Sequence, residues 1–183
     1  MSAENTASGY GWLSIGLHWL TAAGVLLMFS IGLRADALGE AGDRAGRAEA
    51  MGWHIGVGSV LVLFLAWRIV SHYTQRQPDP LPQPALLNLV AALTHHGLLL
   101  ALLILIVSGP LAVWSGGGPI NVAGVLPLPS PFAERNDAVH EAAEQAHAIG
   151  RYMLYGLVPV HILGAMKHLL QARRFRMLKP QAN

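Results

Sequence analysis

The sequence predicts an all-α integral membrane protein. The expected form is one four-helix bundle over residues 1–183, with both termini in the cytoplasm. Three observations carry this. The chain is 53% hydrophobic and 12% charged, roughly half the charge of an ordinary soluble domain. Four stretches are apolar for long enough to cross a bilayer core, which takes about 20 helical residues. The charges flanking those stretches are uneven, and that unevenness sets direction.

The first span is placed at 12–33, where no charge falls between Trp12 and Leu33. The preceding "MSAENTASGYGW" has neither the basic stretch nor the small-residue cleavage site of a signal peptide, so this span is expected to be retained. The second is placed at 51–73, in sequence that runs unbroken between Glu49 and Arg68. The third, 86–114, is long and uncharged. The fourth covers 142–170, with Arg151 towards one end and Lys167 towards the other. Trp12, Trp67 and Trp114 sit near span ends, as interface anchors do.

The connections read as loops from their punctuation. "RADALGEAGDRAGRAEA" (34–50) is polar and small. "QPDPLPQP" (77–84) has proline at every second position and is expected to be extended and stiff. "SGGGPINVAGVLPLPSPFAERN" (115–136) is rich in glycine and proline.

On the side of the N-terminus lie seven cations: Arg68, Arg76, Lys167, Arg173, Arg174, Arg176 and Lys179. Only Glu4 and Asp79 oppose them there. The other side has Arg34, Arg44, Arg47, Arg135 and Arg151 against eight acids. The cation-rich side is assigned to the cytoplasm, sharpened by the basic tail "KHLLQARRFRMLK". Lipid is the expected surrounding, and nucleic acid is not an expected partner. The absence of cysteine excludes disulfides, thiolate metal sites, iron–sulfur clusters and covalent CxxCH haem attachment.

Nine histidines remain to be explained. His140, His147, His161 and His168 are spaced by 7, 14 and 7 residues. Fourteen helical residues return to within about 40° of the starting direction, so the four lie along one stripe. His147 and His161 are then about 21 Å apart along the axis, too far to share one metal ion. Each has a partner at its own depth. His54 matches His147 on the outer side, and His18 matches His161 on the inner side. Facing neutral imidazoles in a helical bundle are the usual axial ligands of b-type haem. Two haems stacked across the membrane follow.

A macrocycle needs room. Gly150 and Gly164 lie three residues after His147 and His161, and Gly56 and Gly58 follow His54. Arg151, one turn from His147, suits a propionate of the outer haem. Arg68, fourteen residues after His54, suits the inner haem or a ligand beside it. A lone membrane histidine can also serve only as a helix-to-helix hydrogen bond, glycines can mark only close packing, and Arg68 can be a snorkelling cation. A zinc or copper transporter would want carboxylate, thiolate or thioether partners beside the histidines. The spans have no Asp, Glu or Cys, and the six methionines are scattered.

Four stretches are similar to one known family. "SIGLHWL", "WHIGVGSVLVLFLAWR", "HHGLLLALLILIVSGPL" and "HAIGRYMLYGLVPVHILGAMKH" resemble the prokaryotic cytochrome b561 family, over about residues 10 to 176. These are di-haem, four-helix relatives of the cytochrome b subunits of nickel–iron hydrogenases. The fourteen-residue histidine spacing is the specific feature. The resemblance implies that His18, His54, His147 and His161 are the axial iron ligands of two haem b groups. It implies that His95 and His168, with Arg68, lie at a ubiquinone site near the inner haem; His96 is extra to the family pattern. The chain also resembles the short bacterial type that acts as a superoxide oxidase. That implies a multi-pass oxidoreductase of the bacterial inner membrane, passing electrons from superoxide outside to ubiquinone inside. The outer loops carry a net charge of −3, which does not favour a small anion. Two other readings therefore stand beside it: a quinol-linked carrier to or from a periplasmic redox partner, and a haem-bearing anchor subunit of a larger complex.

Overall fold

The computed structural model describes residues 3–7, 9–79 and 83–178, with 171–178 described by backbone alone. The side chains of Arg173, Arg174 and Arg176, and all of Lys179, which the directional argument invoked, lie outside the described residues. Among the described residues are four helices: α1 (Trp12–Glu40), α2 (Arg44–Thr74), α3 (Ala85–Ser115) and α4 (Asp137–Leu178). Two short strands, β1 (Ile120–Val122) and β2 (Leu126–Leu128), stand between α3 and α4. All four helices are long and apolar enough to cross a membrane.

The helices overrun the apolar spans. α1 has 29 residues, about 43 Å at 1.5 Å per residue, against a hydrocarbon core of about 30 Å. The expected loop at 34–50 is therefore corrected: only residues 41–43 connect α1 to α2. The bilayer limits the apolar stretch, not the helix, and Arg, Ala, Leu and Glu continue a helix well in water. Glycine ends α1. Gly42 takes φ +77°, a left-handed conformation that costs glycine little. Its N–H donates to Gly39 O at 3.1 Å, and Asp43 N–H donates to Leu38 O at 2.9 Å, the paired bonds of a Schellman end. Asp43 then caps α2, accepting from Gly46 N–H at 2.9 Å.

The fourth helix also starts earlier than the sequence indicated. Asn136 caps it, accepting from Val139 N–H at 3.1 Å, and α4 begins at Asp137. His140 thus lies inside α4 rather than before it. The helix assignment runs through Pro159 without interruption, as α3 does through Pro110.

The glycine-rich loop holds a hairpin. β1 and β2 pair antiparallel with Ile120 opposite Leu128. Ala123 and Gly124 both have positive φ, 50° and 75°, which is the type I′ pattern of tight hairpins. Ala123 N–H donates to Gly56 O at 3.3 Å, seating the hairpin on α2.

The helices pack as two pairs, α1 on α2 and α3 on α4. Small residues let the pairs approach. A Cβ at Gly24 would meet the Leu61 methyls, and one at Gly97 would stand 2.9 Å from Leu157 Cδ1. A Cβ at Gly150 would stand 2.9 Å from Leu105 Cγ and 3.2 Å from Ile104 Cγ2. Between the pairs the situation differs. Among the described residues, α1 and α4 have no Cα atoms within 8 Å of each other, nor do α1 and α3, or α2 and α4. The pairs meet through α2 and α3. Buried hydroxyls inside the helices bond back to their own backbone, Thr21 to Leu17 O at 2.8 Å and Ser115 to Leu111 O at 2.6 Å.

Gly150→Ala is expected to lower the stability of the α3–α4 pair by about 1–3 kcal/mol through overpacking. Gly156→Ala, which has no neighbour within 4 Å, is expected to leave it unchanged. Thermal unfolding of both variants in detergent checks this.

Candidate functional site

The near end of the bundle carries the N-terminus; the far end carries the hairpin. α4 faces α1 at the near end and α2 at the far end through imidazoles. At the near end the rings of His18 and His161 have centroids 6.0 Å apart, with planes at 66°. At the far end His54 and His147 stand 6.3 Å apart, with planes at 75°. Both depth-matched pairs of the sequence are thus brought together, each across a gap that no backbone contact closes.

That separation can be tested against a ligand. Two imidazoles on opposite sides of one metal ion, with bonds of about 2 Å, hold their ring centres roughly 6.3 Å apart. Both pairs fit. The far end adds a second sign. Arg151 Nε is buried without a hydrogen-bond partner, a state that buried polar groups avoid unless something satisfies them. The donor set is two neutral nitrogen ligands per pair, suited to iron in haem.

Helix α3 shapes the far pair. Ser108 Oγ lies 3.1 Å from His147 Nδ1 and shares a hydrogen bond with it. A Cβ at Gly109 would stand 3.4 Å from His147 Cε1, and one at Gly32 of α1 would stand 3.7 Å from His54 Cε1. These two glycines give the rings their room. The sequence reading did not single out Ser108, Gly109 or Gly32. The signal for two of them was present in "IVSGPL", a polar and a small residue in an otherwise apolar run.

The expected openings are partly corrected. Gly150 meets α3 instead of open space. Gly56 faces the hairpin, 3.6 Å from Gly124 N, and Gly58 faces the Met28 methyl at 3.0 Å. Gly164 alone of this set has nothing within 4 Å. Helical rotation explains this: three residues turn about 300°, so Gly150 lies some 60° off the face of His147. Arg151 has a partner that the sequence reading did not name. Its Nη1 donates to Asp36 Oδ2 of α1 at 2.9 Å, leaving Nε free.

At the near end Arg68 Nη2 lies 3.4 Å from His18 Nδ1. The His95 ring lies 5.4 Å from that of His161. A cavity of about 30 Å³ is bounded by Tyr10, Ser14, Arg68, Ser71 and His72 among others; it has room for water and nothing larger. Arg68 and His95 therefore stand at the near pair. His168 follows His161 on the same side of α4, half-buried, but no hydrogen bond, ion pair or ring contact joins it to His95, His161 or Arg68. His140, the fourth member of the stripe, has another task. Its Nδ1 donates to Ala112 O at 2.8 Å, and its Nε2 lies 3.5 Å from Glu144 Oε1, tying the start of α4 to the end of α3.

A family model described as prokaryotic cytochrome b561 matches residues 9–179. The chain is 30% identical over 172 residues to cytochrome b561 homolog 2 of Escherichia coli (strain K12), an alignment that covers 92% of this chain and 88% of that protein. No solved structure matches it. The match spans nearly the whole chain and all four membrane helices, and the chain belongs to the prokaryotic cytochrome b561 family, membrane proteins that bind haem b and transfer electrons across the bilayer.

Proposed function

We propose that the chain holds two b haems, one at each histidine pair, and uses them to oxidise superoxide on the periplasmic side of the bacterial inner membrane and reduce ubiquinone on the cytoplasmic side. The observation that carries the two-haem reading is the pair of imidazole separations, 6.0 and 6.3 Å, at two depths about 21 Å apart along α4. Bound haem supplies reversible one-electron chemistry at each level.

The residues of the chain do the rest. His18 and His161 present neutral nitrogens at the near level, and His54 and His147 at the far level. The hydrogen bond to Ser108 orients His147. Arg151 keeps an unpartnered Nε–H beside the far pair, a donor for a propionate. Arg68 and His95 flank the near pair, and an imidazole can both donate and accept a proton near neutral pH. They would bind the quinone carbonyls and deliver protons from the cytoplasm. His168 joins them on the strength of its place on the stripe. The overall reaction balances as two superoxide ions, one ubiquinone and two protons giving two dioxygen molecules and one ubiquinol.

One observation favours a second reading, a carrier that exchanges electrons with a basic periplasmic protein. The far-side arginines Arg151 and Arg135 are each held by a carboxylate, Asp36 and Asp137, and acids outnumber cations on that side. Such a surface attracts a cationic protein better than a small anion.

Substituting His147 or His161 with alanine is expected to remove one haem each, about half the total, read by pyridine haemochrome per protein. A full complement in both variants would overturn the ligand assignment. Ser108→Ala removes the bond that raises the basicity of His147. It is expected to raise the potential of one haem and leave the other unchanged in a redox titration. A pulse of superoxide is expected to reduce the haems of the purified protein within the mixing time. Reduction only through a co-purified protein would establish the carrier reading instead.

A further inference from the structure

We propose that His72 and His96 form a separate site for an exchangeable divalent transition-metal ion, bridging α2 and α3. The two rings stand 5.9 Å apart, with planes at 85°. One ion with bonds of about 2 Å holds two imidazole centres from roughly 5.1 Å apart at a tetrahedral angle to roughly 6.3 Å when they are opposed, and 5.9 Å lies within that range. No hydrogen bond joins the two rings.

The tautomer of His96 is set by its own helix. Its Nδ1 lies 2.8 Å from Ala92 O. A carbonyl only accepts, so Nδ1 carries the proton and Nε2 keeps a free lone pair. Metal-binding imidazoles are commonly arranged this way, one nitrogen donating to a backbone carbonyl and the other ligating. His72 sits in the last turn of α2. It is half-buried and two residues from the end of α2, and His96 is left uncovered by the rest of the protein.

The same facts select an ion over a macrocycle. α2 and α3 approach each other directly, unlike the helices that carry the other two pairs. Imidazole suits zinc, copper and nickel. Among the described residues no group of three or more His, Cys, Asp or Glu is gathered for a metal. Two protein nitrogens leave further positions to water, so the ion exchanges freely and does not serve as a structural centre. It bridges the two helix pairs reversibly, one residue from His95.

The test uses tag-free, haem-loaded protein in detergent. Zinc titrated by calorimetry is expected to show one equivalent more in the wild type than in either His96→Leu or His72→Leu, with the haem spectrum unchanged in both. Substoichiometric copper(II) is expected to show two imidazole nitrogens in its paramagnetic resonance spectrum in the wild type. Equal zinc stoichiometry in all three proteins would overturn the site, as would a two-nitrogen copper signal that survives in His96→Leu. Should the variants fail to take up haem, the wild-type copper spectrum decides alone: fewer than two nitrogens ends the proposal.

Discussion

Imidazole side chains span the space between α4 and the α1–α2 pair, whose backbones stay beyond 8 Å of it. Directly packed helices have axes about 8–10 Å apart and interdigitate their side chains. Here two well-packed pairs, α1 with α2 and α3 with α4, stand back from each other along most of their facing surfaces. Lipid-exposed helices gain nothing by simple apolar association, since lipid tails are as apolar as leucine. Side chains cross the slot: the two imidazole pairs, and Phe29 of α1 against Tyr155 of α4 with ring centroids 5.0 Å apart. The imidazole pairs stand at 6.0 and 6.3 Å, and the glycines at 32 and 109 leave room around one of them.

The histidines of α4 show how one residue type serves different ends on one face. His147 and His161 meet partners across the slot. His140 bonds Ala112 O and lies beside Glu144, which spends both its nitrogens on holding α4 to α3. What separates them is the helix each faces. At the level of His140, α3 ends in Ser115, and the Ala112 carbonyl in its last turn accepts from the imidazole as well as from Gly116 N–H. At the level of His147, α3 presents Ser108 and Gly109, which orient and make room. Neighbouring backbone and side chains, not position on the stripe, set the role.

The far end carries charge in a paired form. Arg151 reaches across the slot from α4 to Asp36 in the overrun of α1. This pair is partly exposed, with side chains 34% and 50% accessible, so it contributes little to stability. Its consequence is electrostatic. It lowers the positive potential at the mouth of the slot, while the buried Nε keeps one donor without a partner. The two proposed readings of function divide at this far end.

Much was legible from residue type and spacing. The bilayer demands about 20 apolar residues per helix, so four spans could be counted. A period of 3.6 residues converts the interval between His147 and His161 into one face and two depths, so the pairing with His54 and His18 followed without coordinates. Gly42 followed by Asp43 also encodes the tight turn between α1 and α2, although the polar composition of 34–50 hid it. The tertiary structure decided what depends on neighbours distant in sequence. It turned Gly150 onto α3, brought Ser108 to His147, gave Arg151 to Asp36, and set His96 against His72. Local periodicity determines the direction a side chain leaves its own helix. Only the packing of one helix on another determines what it meets there.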